Sequence, residues 1–478
     1  MATAAVEERQ LVKSMSWWDG FVVAMANPAF LIAALGGSIA ALGTTGAVVL
    51  WLISVLVGAL QNNIYAELAA MFQDKPGGIT MFAHEAWRRY ASFVGPLATF
   101  GYWFAWSSVL AVTGLVVGTM VQVQWFDTAT WSSTVAGFDF TLPIVIGMVA
   151  MTIVAVINIV GLRPAVWFTY ATGAMLCLPL FALMFLPYIT GDWQSSNMTW
   201  EIGSGGGLAL ALTWLYFMGW SSYGFEAVAS LAPEFHDPAN DTARALRASA
   251  AFSVLVYGLL PLGVGGTLGT EAIAGDETLI AFYNQAFDAI GGAGVSDVLV
   301  VCLVAGLLLS LNTAALDGSR ALYGIAKDGM TVRQLGILNQ ANVPGRAVLV
   351  ALVLNLILIS FFASAIEILA AGNLGYMLAH VFALSGFVLL RRDRPDWPRP
   401  IRLSGFWVAL AGVLAAWNLI LVITGGFIYA DDYGYGLSKT LIGLLVLVVS
   451  LLLWAYRHKV QDRTSLRLRE ETPLVPPS

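Results

Sequence analysis

GFVVAMANPAFLIAALGGSIAALGTTGAVVLWLISVLVGALQNNIYA, residues Gly20 to Ala66, contains no Asp, Glu, Lys or Arg. A bilayer crossing needs about 20 apolar residues, so this run is long enough for two. Gly43-Thr44-Thr45-Gly46 supplies the turn between them. In lipid every backbone donor and acceptor must be satisfied inside the segment, so apolar runs of this length are helices. A β-barrel would show alternating segments about half as long; the sequence has none of that pattern.

Working outward, the remaining chain repeats the signal. Of 478 residues, 58% are hydrophobic and only 11% charged, less than half the charged share of a globular domain. Charge-poor runs place twelve spans at 20–42, 47–71, 93–124, 141–161, 165–190, 207–233, 248–269, 295–319, 346–363, 366–390, 405–429 and 439–456. The fold class is therefore an all-α polytopic membrane protein. Segments 80–90 and 273–290 read as interfacial helices, and the tail after Gln461 as disordered.

Charge tests the count. With the N-terminus in the cytoplasm and the chain alternating sides, 22 of the 23 Lys and Arg fall inside and only Lys439 outside. The outer loops hold acidic residues instead, among them Asp127, Asp192, Glu201, Glu271, Asp276, Asp431 and Asp432. A miscounted span would scramble this segregation, because every later loop would change sides. The expectation is a multi-pass plasma-membrane protein with both termini cytoplasmic. Met1–Ser16 lacks a short apolar core with a small-residue cleavage site, so no cleaved signal peptide is expected. Trp17, Trp18, Trp125, Trp131, Trp193, Trp200, Trp397 and Trp454 fall near span ends, as headgroup-anchoring residues do.

The composition excludes several functions. Connections of about 30 residues or fewer leave no room for a soluble catalytic or nucleotide-binding domain. Cys177 and Cys302 sit in apolar runs and read as buried, unpaired thiols. His84 and His236 fall in cytoplasmic loops and His380 within span 10, without metal-like spacing. No nucleic-acid footprint, cofactor motif or metal site is present, and the partners expected are a small-molecule substrate, a coupling ion and the bilayer.

Transporters often bind substrate at mid-membrane between interrupted helices at corresponding positions of two inverted repeats. Span 1 carries Ala26-Asn27-Pro28-Ala29, where Pro28 removes a backbone donor and disfavours helix at Asn27. Span 6 carries Gly219-Trp220-Ser221-Ser222-Tyr223-Gly224-Phe225-Glu226, the most polar mid-span stretch of the chain. The two lie five spans apart, the offset an inverted five-helix repeat requires. A proline kink in span 1 and small-residue helix packing in span 6 are the plainer readings. An unwound helix would offer N–H groups to a carboxylate and C=O groups to an ammonium, suiting a zwitterion.

Here the residues resemble a family. Ser222-Tyr-Gly-Phe-Glu226 with Ala232-Pro-Glu-Phe-His-Asp-Pro238 and Arg244-Ala-Leu246 is similar to the sixth-span signature of the amino acid–polyamine–organocation transporters. Ala66-Glu-Leu-Ala-Ala-Met-Phe72 with Pro76-Gly-Gly78 agrees in order and spacing. So do Ser319-Arg-Ala-Leu-Tyr-Gly-Ile-Ala-Lys-Asp-Gly329, and Leu390-Arg-Arg-Asp-Arg-Pro395 with Pro398-Arg-Pro400. The resemblance implies a five-plus-five inverted-repeat fold with two appended helices. The divisions are then 1–16, a first repeat at 17–190, an outer loop at 191–204, a second repeat at 205–392, a loop at 393–404, spans 11 and 12 at 405–457, and a tail at 458–478.

It also implies secondary active transport of amino acids, proton-coupled or exchanging, with polyamines or other amines as the alternative. The substrate site would comprise Ala26, Asn27, Pro28, Trp220, Ser221, Ser222, Tyr223, Gly224 and Phe225, with Trp220 as an outer gate. The family usually has a Gly-Ser-Gly-like stretch in span 1 to receive the carboxylate; this chain has Pro28-Ala29-Phe30-Leu31-Ile32.

Ionisable groups in a membrane are costly and mark function by default. Glu226 leads as a site or coupling residue. Asp317 is placed near the cytoplasmic water, with a helix-face ion pair to Arg320 as its structural reading; Glu67 is placed there too. Asn312 and Thr313 could join span-1 carbonyls around a sodium ion. A non-transporting receptor or complex subunit would carry a large extra domain or a filled centre. An intramembrane enzyme would need a nucleophile–base pair or metal cluster, which four scattered His and two Cys do not supply.

Overall fold

The structure, a computed structural model, describes residues 10–135, 138–362 and 365–473, without the side chains of 138 and 139. Ten helices among these are long and apolar enough to cross a membrane. The sixth span adds the helix Gly207–Ser222 with its continuation Gly224–Glu234, and the ninth the shorter apolar helix Gly345–Phe361. The described spans therefore match the charge-based count. Lys439, the one cation the sequence reading places outside, lies 3.5 Å from Glu367 at the start of span 10.

Span 1 (Trp17–Leu42) lies at the heart of the bundle, 94% of its most apolar window buried, whereas spans 11 and 12 bury 33% and 28%. That contrast separates an inner ten-helix body from two peripheral helices. Spans 3 (Val94–Trp125) and 10 (Ala365–Asp393) cross backbone to backbone at Gly101 and Gly375. A Cβ on either would come within 2.6 Å of the other's Cα, as small-residue crossings in membranes require.

Two expectations are corrected. The segment expected as an interfacial helix at 80–90 is Gly78–Trp87, buried from Gly78 through Ala86 because it packs among spans 3, 6 and 10. Segment 273–290 forms a helix, as expected, at Phe282–Gly291, and the loop before span 4 adds a hairpin of Ser132–Val135 with Phe138–Thr141. Trp454 is no headgroup anchor; it is buried against Ile325 and Met330.

The tail is also ordered as far as described; residues 474–478 lie outside. Backbone bonds run from Ser92 N to Leu468 O and from Glu470 N to Arg88 O, both 2.9 Å. Arg88 holds the Glu470 carboxylate at 2.6 Å, and Arg333 holds Asp462. The N-terminal segment, described from residue 10, is pinned as well: His236 N donates to Met15 O, and Met15 N to Glu234 O. Both described ends therefore lie on the face formed by the loops after spans 2, 6 and 8.

Candidate functional site

Span 1 bends at Met25 and Ala26, between helices Trp17–Ala24 and Asn27–Leu42. Pro28 cannot donate to the preceding turn, which accounts for the bend. The expected unwinding is not what forms: Met25 and Ala26 keep right-handed backbone, with φ of −61° each. The loosened carbonyls are satisfied by hydroxyls. Thr313 donates to Val23 O at 2.9 Å and Ser310 to Ala26 O at 3.3 Å, both from span 8.

Span 6 changes helix type at the matching depth. Its α-helix ends at Ser222, and Gly224–Glu234 continues as a 3₁₀-helix. Eleven residues is long for this tighter geometry, which seldom exceeds four and often marks a hinge. Gly224 is what lets the two bends touch: a Cβ there would lie 2.4 Å from Asn27 Oδ1 and 3.2 Å from the Phe30 ring. Tyr257 of span 7 joins them, its hydroxyl 2.9 Å from Asn27 O and 2.8 Å from both Ser221 O and Ser221 Oγ.

Between the bends and span 3 lies a small pocket, with free room for about one water molecule, lined by Phe30, Ala105, Trp106, Val109, Trp220 and Tyr376. Phe30 meets Trp106 edge-on at 5.4 Å and Trp220 at 5.6 Å. Glu226 is fully buried behind this wall. Its Oε1 accepts from Trp106 Nε1 at 3.1 Å and Tyr376 OH at 2.9 Å; Oε2 has no hydrogen-bond partner among the described residues. Asp317, 1% exposed, is close enough to repel Glu226 and faces Tyr102 and Ser230.

The sequence-proposed residues divide. Asn27, Trp220, Ser221 and Gly224 gather at the bends or the cavity, with Ala26 and Pro28 shaping the first bend. Ser222, Tyr223 and Phe225 turn the other way. Ser222 Oγ meets Ser54 Oγ at 2.7 Å, Tyr223 stacks edge-on with His380, and Phe225 packs beside Gly58. The helical twist carries them toward spans 2 and 10, away from the pocket.

Asn312 and Asp317 are corrected too. Asn312 points away from span 1, accepting from Asn158 at 2.7 Å and donating to Ala165 O and Thr169 Oγ1, while its neighbour Thr313 does reach Val23 O. Asp317 does not pair with Arg320, whose fork grips Glu234 at 2.8 and 3.1 Å. Asp317 and Glu67 are both buried from solvent. Glu67 is buried between Arg391 and Arg399. Sequence reasoning missed Phe30, Trp106, Tyr257 and Tyr376 as candidate site residues; for the last three, polar-tipped aromatics at mid-span depth were the available signal.

Comparison with known proteins completes the picture. The family model described as amino acid permease matches residues 15–453, nearly the whole chain. The chain belongs to the amino acid permease family. The permease is 25% identical over 454 residues to the lysine-specific permease LysP of Escherichia coli, covering 88% of each chain. It is 25% identical to the aromatic amino acid transport protein AroP of Escherichia coli, over 78% of this chain and 81% of that one. With the branched-chain amino acid permease BcaP of Lactococcus lactis the match is 26% over 190 residues, 39% of this chain and 40% of that protein. This permease is a membrane transporter and not an enzyme.

Proposed function

We propose that this permease moves a small amino-bearing solute, an amino acid or a close amine relative, across the plasma membrane by alternating access. In this reading spans 1–5 and 6–10 are inverted repeats, and the solute enters the cavity where their bends meet. Glu226 and Asp317 couple the movement to protons or to a counter-substrate. Both described ends of the chain lie on the cytoplasmic side.

The observation that carries the reading is Glu226: a carboxylate buried at the sixth-span bend, joined to two walls of the cavity and ion-paired with no described Lys, Arg or His. Taking a carboxylate out of water is expensive unless it is paired. This one can be neutralised only by a proton or a cationic solute, and either would tie its charge state to the transport cycle. The cytoplasmic side is closed beneath it by the Arg320–Glu234 pair and Met15, so release would require that pair to part or shift.

The test is uptake into proteoliposomes under imposed proton or sodium gradients. An inward proton gradient should accelerate accumulation, and Glu226→Gln should abolish that acceleration. Stimulation by sodium alone, or a Glu226→Gln protein with unaltered gradient dependence, would end the coupling assignment. Absence of uptake for every amino-bearing solute would end the transport reading itself.

A further inference from the structure

We propose that the tail behind span 12 is a strap that holds the inner side of the permease shut, and that its release speeds opening toward the cytoplasm. The inference rests on the alternating-access reading, with the described ends of the chain inside.

The strap has two anchors. The first is the loop after span 8, where Arg333 takes the Asp462 carboxylate at 2.5 and 2.8 Å. The Arg333 backbone N donates to Gln461 Oε1 at 2.9 Å, Gln461 Nε2 donates to Gln334, and Arg457 donates to Thr331 O. Leu466 adds an apolar contact with the cluster of Ile325, Met330 and Trp454. The second anchor is the loop that joins helix Gly78–Trp87 to span 3. Ser92 donates its hydroxyl to Arg467 O and its N to Leu468 O, and Glu470 N donates to Arg88 O. Arg88 grips the Glu470 carboxylate at 2.6 and 3.1 Å.

The anchored parts are walls of the inner closure. Helix Gly78–Trp87 begins against the 3₁₀ segment of span 6, where a Cβ on Gly78 would lie 3.0 Å from Ser230 N. The chain just before it rests on span 8, where a Cβ on Gly324 would lie 2.5 Å from Pro76 O. Span 8 carries Arg320, which grips Glu234 at the end of that same segment. For Glu234 to leave Arg320, the segment must slide past Gly78 or carry the helix with it. The strap opposes the second movement, because it ties the far end of the helix to the far end of span 8.

The fastening is weak enough to come undone. The Arg333 side chain is 58% exposed, and those of Arg88 and Glu470 are 20% and 19% exposed. Ion pairs in contact with water contribute little each and are screened by salt. Leu468 is 61% exposed, so its backbone bond to Ser92 has no apolar burial behind it. A segment held this way can open while the rest of the fold stays intact. Arg320 and Glu234, each 1% exposed, lie where salt does not reach. The strap thus adds a salt-sensitive latch over a closure that is itself insensitive to salt.

The experiment reads opening without relying on a substrate. Ser230, fully buried on the 3₁₀ segment, is replaced as Ser230→Cys in the full-length permease carrying Cys177→Ser and Cys302→Ser. Its modification by a membrane-impermeant maleimide is timed in inside-out vesicles. Ending the chain after Asp462, or adding Glu470→Lys, should raise that rate by roughly fivefold, the effect of losing about one good exposed ion pair. Raising KCl from about 0.05 to about 0.5 M should speed the intact chain toward the same rate and leave both variants nearly unchanged. In proteoliposomes the same variants should take up labelled lysine, leucine or phenylalanine faster than the intact chain. Variants modified at the intact chain's rate, or an intact chain that does not respond to salt, overturn the proposal. The salt response of the intact chain decides the matter even if a variant misfolds. Uptake of none of these amino acids by any of the proteins would count against the transport reading alone, since the maleimide rates still decide whether the strap holds that side shut.

Discussion

Buried carboxylates in this permease come in two kinds. On the loop-bearing face each has basic partners. Glu67 sits between Arg391 and Arg399, Glu234 in the fork of Arg320, and Glu85 among Lys75, Arg88 and Arg394 at 2.5, 3.2 and 2.9 Å. At mid-depth Glu226 and Asp317 have each other, tyrosines and a tryptophan. Removing one member of a buried pair strands a charge, whereas an acid with no counter-ion has no pair to break. The first kind should therefore fail as structure and the second as function.

The largest effect is expected at the first kind. Arg320→Met leaves Glu234 buried without its guanidinium, costing about 3–5 kcal/mol, and should lower the thermal unfolding midpoint or prevent recovery of monodisperse protein. A variant of wild-type stability would erase the distinction between the two regions. Next, Asn312→Ala removes the partner of Asn158 and Thr169, at up to about 3 kcal/mol for groups left unsatisfied. It should destabilise without altering KM. A changed KM at unchanged stability would return Asn312 to the transport site.

His84 sharpens the comparison through pH. Burial lowers it from 6.5 to about 3, against the opposing pull of Glu85, with Arg88, Lys75 and Arg394 adding to the lowering. Between those values the unfolded chain binds a proton that the folded one refuses. Stability from this group is whole above pH 6.5 and falls as pH drops through the window, by about 2 kcal/mol at pH 5. Midpoints measured from pH 7 to 5 should show the fall, and His84→Gln should flatten it; identical slopes would contradict the assignment. Glu85 in the same cluster runs lower, to about 2, because Lys75 and its other partners outweigh burial. It stays charged throughout that range.

The smallest effect on stability is expected at the second kind. Glu226→Gln keeps an oxygen for Trp106 and Tyr376 and should shift stability by no more than about 1 kcal/mol, while gradient-driven uptake is lost. If the variant unfolds and the small folded fraction still couples, Glu226 belongs with the structural acids.

The spans were legible because lipid forbids stray charge: Gly20 to Ala66, free of Asp, Glu, Lys and Arg, announces two crossings at once. Local backbone chemistry also marked where the two helices break, just before Pro28 and just before Gly224. Rotation about the helix axes was not legible. Asn312 and Thr313 are adjacent, yet only Thr313 reaches span 1, and Ser221 and Ser222 face different neighbours. Pairing across the chain was equally hidden: Arg320 has an acid three positions away but binds Glu234, 86 residues distant. A polar tail reads as disordered by composition, though backbone bonds to Arg88 and Ser92 hold this one without any apolar run to announce it.

That docked tail has a practical side. Glu470 grips the loop between spans 2 and 3 while Asp462 grips the one after span 8. A fluorescent reporter or affinity handle spliced close behind Glu470 would tug on both loops at once. A fusion carried on a generous flexible spacer would report on the native protein, and one without it on a permease whose underside has been pried loose.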